Sequence, residues 1–171
     1  MLDFSKFDFP QIFGVVKATD GMKSRQHRPL RAEIQEKAMA KYSGGQLTYV
    51  GDTAVGQDFV SDQSKRYESK GQDSIFCKTI PWTKEITLKN FQGNNIGLPD
   101  QTFDYMLLWD TKTFTAGICT WEACMKNTKV VSDSVKFKVH FDDITFICKN
   151  VMPADKEDIG KQLSTLIESL L

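Results

Sequence analysis

The stretch GQDFVSDQSKRYESKGQ, Gly56 to Gln72, decides how this chain is read. It holds two β-prone pieces, one around Phe59 and Val60 and one running from Arg66 to Gln72, with polar residues between them. Such a pattern predicts a hairpin. If its turn centres on Gln63, antiparallel pairing sets residues whose numbers add to 126 opposite one another, and Asp58 faces Glu68. Side chains alternate along a strand, so Glu68 and Lys70 point to one side and Tyr67 and Ser69 to the other. Asp52 fits less well, because facing Glu68 it would centre the turn near Val60, an apolar place for one. Asp62 lies inside the turn itself. The predicted trio is therefore Asp58, Glu68 and Lys70.

Two carboxylates a few ångströms apart repel one another unless a cation shares them, and hard oxygen ligands suit Mg²⁺, with Mn²⁺ as a substitute. An ion held by Asp58 and Glu68 can polarise a phosphodiester and supply an activated water. An ammonium at Lys70 can orient that water or stabilise charge developing on phosphorus. The expected chemistry is hydrolysis of a nucleic-acid backbone.

Outward from the hairpin, Leu30 to Tyr42 reads as an amphipathic helix with Leu30, Ile34, Ala38 and Tyr42 at i, i+4 spacing. Glu33 and Lys37 form an i, i+4 ion pair on it, and Ser43-Gly44-Gly45 stops it. The residues before Pro29 read as loop or short helix. QLTYV is a further β-prone piece, and a helix is predicted near Thr83 to Phe91, followed by a long loop. FDYMLLWD, AGICTWEACM, VKFKVHF and ITFICKNV read as strands. DKEDIGKQLSTLIESLL reads as a closing helix, with acids in its first turn. The expected class is α/β, a mixed α+β arrangement in which helices flank a central mixed β-sheet.

The spacing D-(x)9-E-x-K, as Asp58 to Glu68-Ser69-Lys70, resembles the signature of the PD-(D/E)XK nuclease superfamily, found in type II restriction endonucleases, some homing endonucleases, junction resolvases and phage exonucleases. A helix carrying Glu33 and Glu36 precedes the hairpin, Gln72 follows the lysine by two, and two long apolar strands come later, so the likeness extends over most of the chain. Gln57 stands where many members have Pro. The resemblance implies a restriction-endonuclease-like fold, Asp58 and Glu68 as metal ligands, Lys70 as the catalytic lysine and Glu33 as an accessory ligand from the helix. It implies a Mg²⁺-dependent endodeoxyribonuclease, first of all a sequence-specific type II restriction endonuclease that cuts double-stranded DNA as a homodimer. The competing readings are a homing endonuclease or Holliday-junction resolvase with the same chemistry, and a non-catalytic DNA-binding protein that keeps the fold.

At 171 residues, 40% apolar and 26% charged, the chain has the size and composition of one folded domain. No apolar run reaches the ~18 to 20 residues of a membrane span, and the first residues carry acids where a signal peptide carries basic residues, so a cytoplasmic protein with no membrane partner is expected. Formal net charge is +0, and DNA binding would rest on local clustering of positive charge. Lys17 to Arg31 supplies such a cluster. Lys23, Arg25, Arg28 and Arg31 are candidate DNA contacts, which makes residues 1–29 a candidate DNA-contacting arm. Gln72, Asn94 and Asn95 are candidate polar contacts, and Lys126, Lys129, Lys136 and Lys138 could extend the footprint. Cys77, Cys119, Cys124 and Cys148 lack paired spacing and read as reduced thiols. Trp82, Trp109 and Trp121 read as core.

Overall fold

The computed structural model describes residues 2–20, 28–51, 57–88, 100–131 and 134–154, together with 164, 165 and 168. The helices are α1 (Phe9–Ala18), α2 (Arg28–Lys41) and α3 (Trp121–Met125). The strands among the described residues are β1 (Leu47–Tyr49), β2 (Phe59–Ser61), β3 (Arg66–Gln72), β4 (Ile86–Leu88), β5 (Tyr105–Asp110), β6 (Thr115–Thr120), β7 (Thr128–Val131), β8 (Ser134–Phe137) and β9 (Thr145–Cys148). The architecture is mixed α and β. A six-stranded sheet runs in the order β1-β2-β3-β5-β6-β9, and a three-stranded sheet in the order β4-β8-β7. Every neighbouring pair is antiparallel except β3 with β5, which run parallel.

Strand alternation in β3 and β5 divides the interior into two cores. Tyr67 of β3 and Leu107 and Trp109 of β5 face a core built with Ile12, Phe13 and Val16 of α1 and Met39 of α2. Met106 and Leu108 face a second core built with Ile86, Val135 and Phe137 of the small sheet and Cys124 of α3. Glu68 is paired with Met106 and Lys70 with Leu108. Both therefore project on the side of the second core, opposite α1 and α2.

The hairpin register is the predicted one. Phe59 stands opposite Tyr67 and Val60 opposite Arg66, the pairing in which residue numbers add to 126. Helix α2 is also as expected. Ile34, Ala38 and Met39 are buried along it, although Leu30 at its start is exposed. Gly44 and Gly45 come after it with φ of 70° and 78°. At Gly44 a side chain would also meet the Cβ of Lys6 at 2.8 Å, so this helix stop needs glycine for both conformation and space.

Three expectations require correction. Thr83 to Phe91 is not a helix in its described part: Ile86–Leu88 is strand β4, paired with β8. Thr83 exchanges bonds with Val139 instead, its amide donating to the carbonyl at 2.9 Å and its hydroxyl accepting from the amide at 3.0 Å. AGICTWEACM is strand only as far as Thr120, whose hydroxyl accepts from the amide of Ala123 at 3.1 Å and caps α3. The N-terminal residues are largely core, for Leu2, Phe7, Ile12, Phe13, Val15 and Val16 are buried. Residues 21–27, which hold Lys23 and Arg25 of the expected arm, lie outside the described residues. Strand β7 is not among the expected elements. The closing helix lies mostly outside the described residues, of which Ser164, Thr165 and Glu168 are helical.

All four cysteines are free thiols. Trp109 and Trp121 are buried as expected, whereas Trp82 is half-buried. Among the described residues no helix is long and apolar enough to cross a membrane.

Candidate active site

The site is created by unequal strand lengths. β2 has three residues and β3 has seven, so among the described residues the backbone edge of β3 beyond Tyr67 has no strand partner on the β2 side. The last rung is the amide of Asp58 donating to the carbonyl of Tyr67 at 2.8 Å. At the next edge-facing position the side chain of Asp58 takes the backbone donor: its Oδ2 accepts from the amide of Ser69 at 2.8 Å. A buried amide that would be costly if left unpaired thereby fixes the carboxylate of Asp58 beside β3.

Glu68 meets it there. The two carboxyl groups are hydrogen-bonded to each other, and Glu68 is only 7% exposed. Burial pushes the Glu68 carboxyl up to about 9, with the negative charge of Asp58 as the next cause; Lys70 pulls the other way, and Glu36 adds a small upward push. Asp58 is also raised, chiefly by burial, against the lowering effects of the Ser69 amide, the Glu68 hydrogen bond and Lys70. Both carboxyls are thus pushed up by burial, which favours a proton held between the two acids. Lys70 Nζ lies 3.9 Å from Glu68 Oε1. The predicted trio is assembled as the hairpin register requires.

The other candidates are placed unevenly. Glu33 is paired with Lys37 at 3.5 Å, while Glu36, one residue short of a turn further along α2, is the helix acid whose charge reaches Glu68. Gln72 Nε2 donates to the carbonyl of Glu85 at 3.3 Å. Arg31 lies 3.9 Å from Asp20, and its buried Nε has no hydrogen-bond partner among the described residues. With Gln35, Gly71, Gln72 and Thr111 it lines a cavity of about 470 Å³. Arg28 opens α2, but its side chain lies outside the description; Lys23, Arg25, Asn94 and Asn95 lie wholly outside the described residues. Sequence reasoning misses the Ser69 amide as the group that aims Asp58. The signal for it is the short apolar length of DFV beside the longer RYESKGQ.

Among the described residues no group of three or more His, Cys, Asp and Glu side chains gathers at metal-binding spacing. Two carboxylates are nevertheless what Mg²⁺ ordinarily takes from a protein, the rest of its shell being water and substrate phosphate. The donor chemistry fits in two further respects. A pair that must hold a proton to coexist is a pair whose proton a divalent cation can replace. Gln57, next to Asp58 in the chain, also keeps a buried Oε1 without a hydrogen-bond partner among the described residues, an additional oxygen acceptor in the same segment. Compared with known proteins, the chain matches no protein-family model and no curated sequence.

Proposed function

We propose that the chain is a Mg²⁺-dependent endodeoxyribonuclease of the PD-(D/E)XK type that hydrolyses phosphodiester bonds of double-stranded DNA, working as a homodimeric, sequence-specific restriction endonuclease. The observation that carries this reading is the contact between Asp58 and Glu68, with the Lys70 ammonium 3.9 Å from Glu68. A solvated hairpin has no reason to bury two acids against each other, since the arrangement opposes folding unless a ligand uses it. The mixed α and β architecture, with helices on both faces of the six-stranded sheet, is compatible with the central mixed sheet flanked by helices that the resemblance implies.

Each residue has a separate task. Asp58 and Glu68 would hold the ion, and Asp58 is kept in place by the Ser69 amide. Bound there, a divalent cation would supply Lewis-acid polarisation of the phosphodiester and an activated water, and the proton held by the Asp58–Glu68 pair would pass to solvent. Lys70 stays beside Glu68 and offers positive charge to the phosphate oxygens as charge develops on them. Two copies, each cutting one strand, would produce a double-strand break.

The test is incubation with long duplex DNA and Mg²⁺. Discrete fragments that disappear with Glu68→Gln are the expected result, and a smear would replace sequence-specific with nonspecific cleavage. No cleavage of any duplex with either Mg²⁺ or Mn²⁺ would overturn the nuclease reading.

A further inference from the structure

The small sheet carries a concentration of positive charge that the site does not use. Lys129 on β7 stands directly opposite Lys136 on β8, and Lys138 lies two residues further on. Like charges facing each other across a strand pair repel and destabilise the sheet. Lysine on an edge strand discourages edge-to-edge pairing, which accounts for Lys129. It does not account for Lys136, because β8 is the central strand, covered by β4 on one side and β7 on the other.

These lysines line a cavity of about 500 Å³ together with Ile80, Trp82 and Glu85. Glu85 is the one carboxylate among its described lining residues, and its side chain lies 3.9 Å from Lys136 with both partners well exposed. Such a pair is weak, so the groove keeps a surplus of two positive charges in a protein whose formal net charge is +0. Lys126 is engaged elsewhere, with Asp143 at 3.0 Å. Ile80 is 49% exposed, and with half-buried Trp82 it gives the groove an apolar wall suited to sugar and base edges beside phosphates. The groove is tied to the catalytic strand, because Gln72, two residues after Lys70, donates to the Glu85 carbonyl at 3.3 Å.

We infer that this groove binds the phosphodiester backbone of the DNA duplex away from the scissile bond, with Lys129, Lys136 and Lys138 as its phosphate contacts. The inference rests on the nuclease reading for the identity of the ligand, and it deepens that reading by placing the DNA-contacting surface on the small sheet.

The experiment is anisotropy of a labelled duplex in Ca²⁺, titrated with salt, for the wild type, the triple variant Lys129→Ala/Lys136→Ala/Lys138→Ala and the corresponding triple arginine variant, each checked for folding by circular dichroism. Each lost phosphate contact lowers the slope of log affinity against log salt by ~1, so the alanine variant is expected to lose ~3 from the slope. The arginine variant should keep it. An alanine variant with wild-type affinity and slope overturns the inference. So does a mononucleotide that competes as well per phosphate as unlabelled duplex, which would assign the groove to small nucleotides. A wild type that cuts nothing yet binds DNA with a slope the lysines control would leave the groove standing and remove the nuclease assignment. A wild type that binds no duplex at any salt concentration removes both.

Discussion

Glu68→Gln is the most informative single change, because it keeps the shape of the Asp58–Glu68 contact and removes its titration. Glutamine can still donate through its amide to the Asp58 carboxylate, so the hairpin should remain folded. In the wild type the folded-state Glu68 carboxyl is raised from 4.5 to about 9 by burial and by Asp58. A group whose native form binds its proton more tightly than the unfolded chain loses stabilisation as pH rises, from the unfolded value up to the native one. One proton corresponds to at most ~1.36 kcal/mol per pH unit. Between pH 6 and 8, in EDTA, wild-type stability should therefore fall relative to Glu68→Gln, by on the order of 1 to 3 kcal/mol. Urea unfolding at half-unit pH steps measures the difference directly. Saturating Mg²⁺ should remove the wild-type slope, since the ion takes the pair in its charged form. Parallel pH profiles for the two proteins in EDTA would refute the shared-proton geometry and, with it, the argument that the site is built to receive a cation.

Mg²⁺ binding measured by calorimetry should strengthen with pH by up to about tenfold per unit over the same window, as a proton is released for each ion taken up. Asp58→Ala should abolish cleavage while leaving duplex binding in Ca²⁺ within about threefold, a loss confined to the chemical step as expected of a metal ligand. Lys70→Ala should lower the single-turnover rate by ~10²-fold or more with little change in affinity; a large affinity loss at an unchanged rate would make Lys70 a phosphate anchor. Phe13→Ala, in the middle of α1 and fully buried, should destabilise the fold by ~3 to 5 kcal/mol in urea unfolding, which an N-terminal arm lying on the surface would not do.

The hairpin, α2 and the long strands β5 and β6 are legible in the sequence because each is governed by a short-range rule: a turn centre, a 3.6-residue period, an unbroken apolar run. Helix α1 is only partly legible, within a stretch read as loop or short helix, although its signals are present, with Asp8 accepting from the Gln11 amide at 3.3 Å as N-cap and Pro10 in the first turn. Pro in the first turn helps start the helix, and Gly14 is buried where α1 packs. β4 misleads for the opposite reason. Thr83 to Leu88 offers only one apolar pair at period 2, Ile86 and Leu88, too short to mark a strand by itself, and pairing with β8, some fifty residues later, commits its backbone to one. With β7 unseen in the sequence, the face-to-face placement of Lys129 and Lys136 is unseen too. These lysines can be named as candidates from the sequence, but the repulsion that makes them informative exists only once the strands are paired.

The site itself is legible in the sequence because its geometry is set by one register. A two-residue shift of the turn would still leave Glu68 and Lys70 on a common face, but would put a different residue opposite Glu68. The alternation rule alone therefore cannot select Asp58; the apolar pair Phe59-Val60 does, because it must pair with Tyr67 and Arg66 for Phe59 and Tyr67 to share a core. Burial of Phe59 fixes the register, the register ends β2 at Phe59 on the side of the site, and the end of β2 leaves the Ser69 amide to be satisfied by the Asp58 side chain. The carboxylate pair is thus positioned by the hydrophobic core on the opposite face of β3. A substitution that shifts this register, such as Phe59→Asp, should disable the site without touching any of its polar groups.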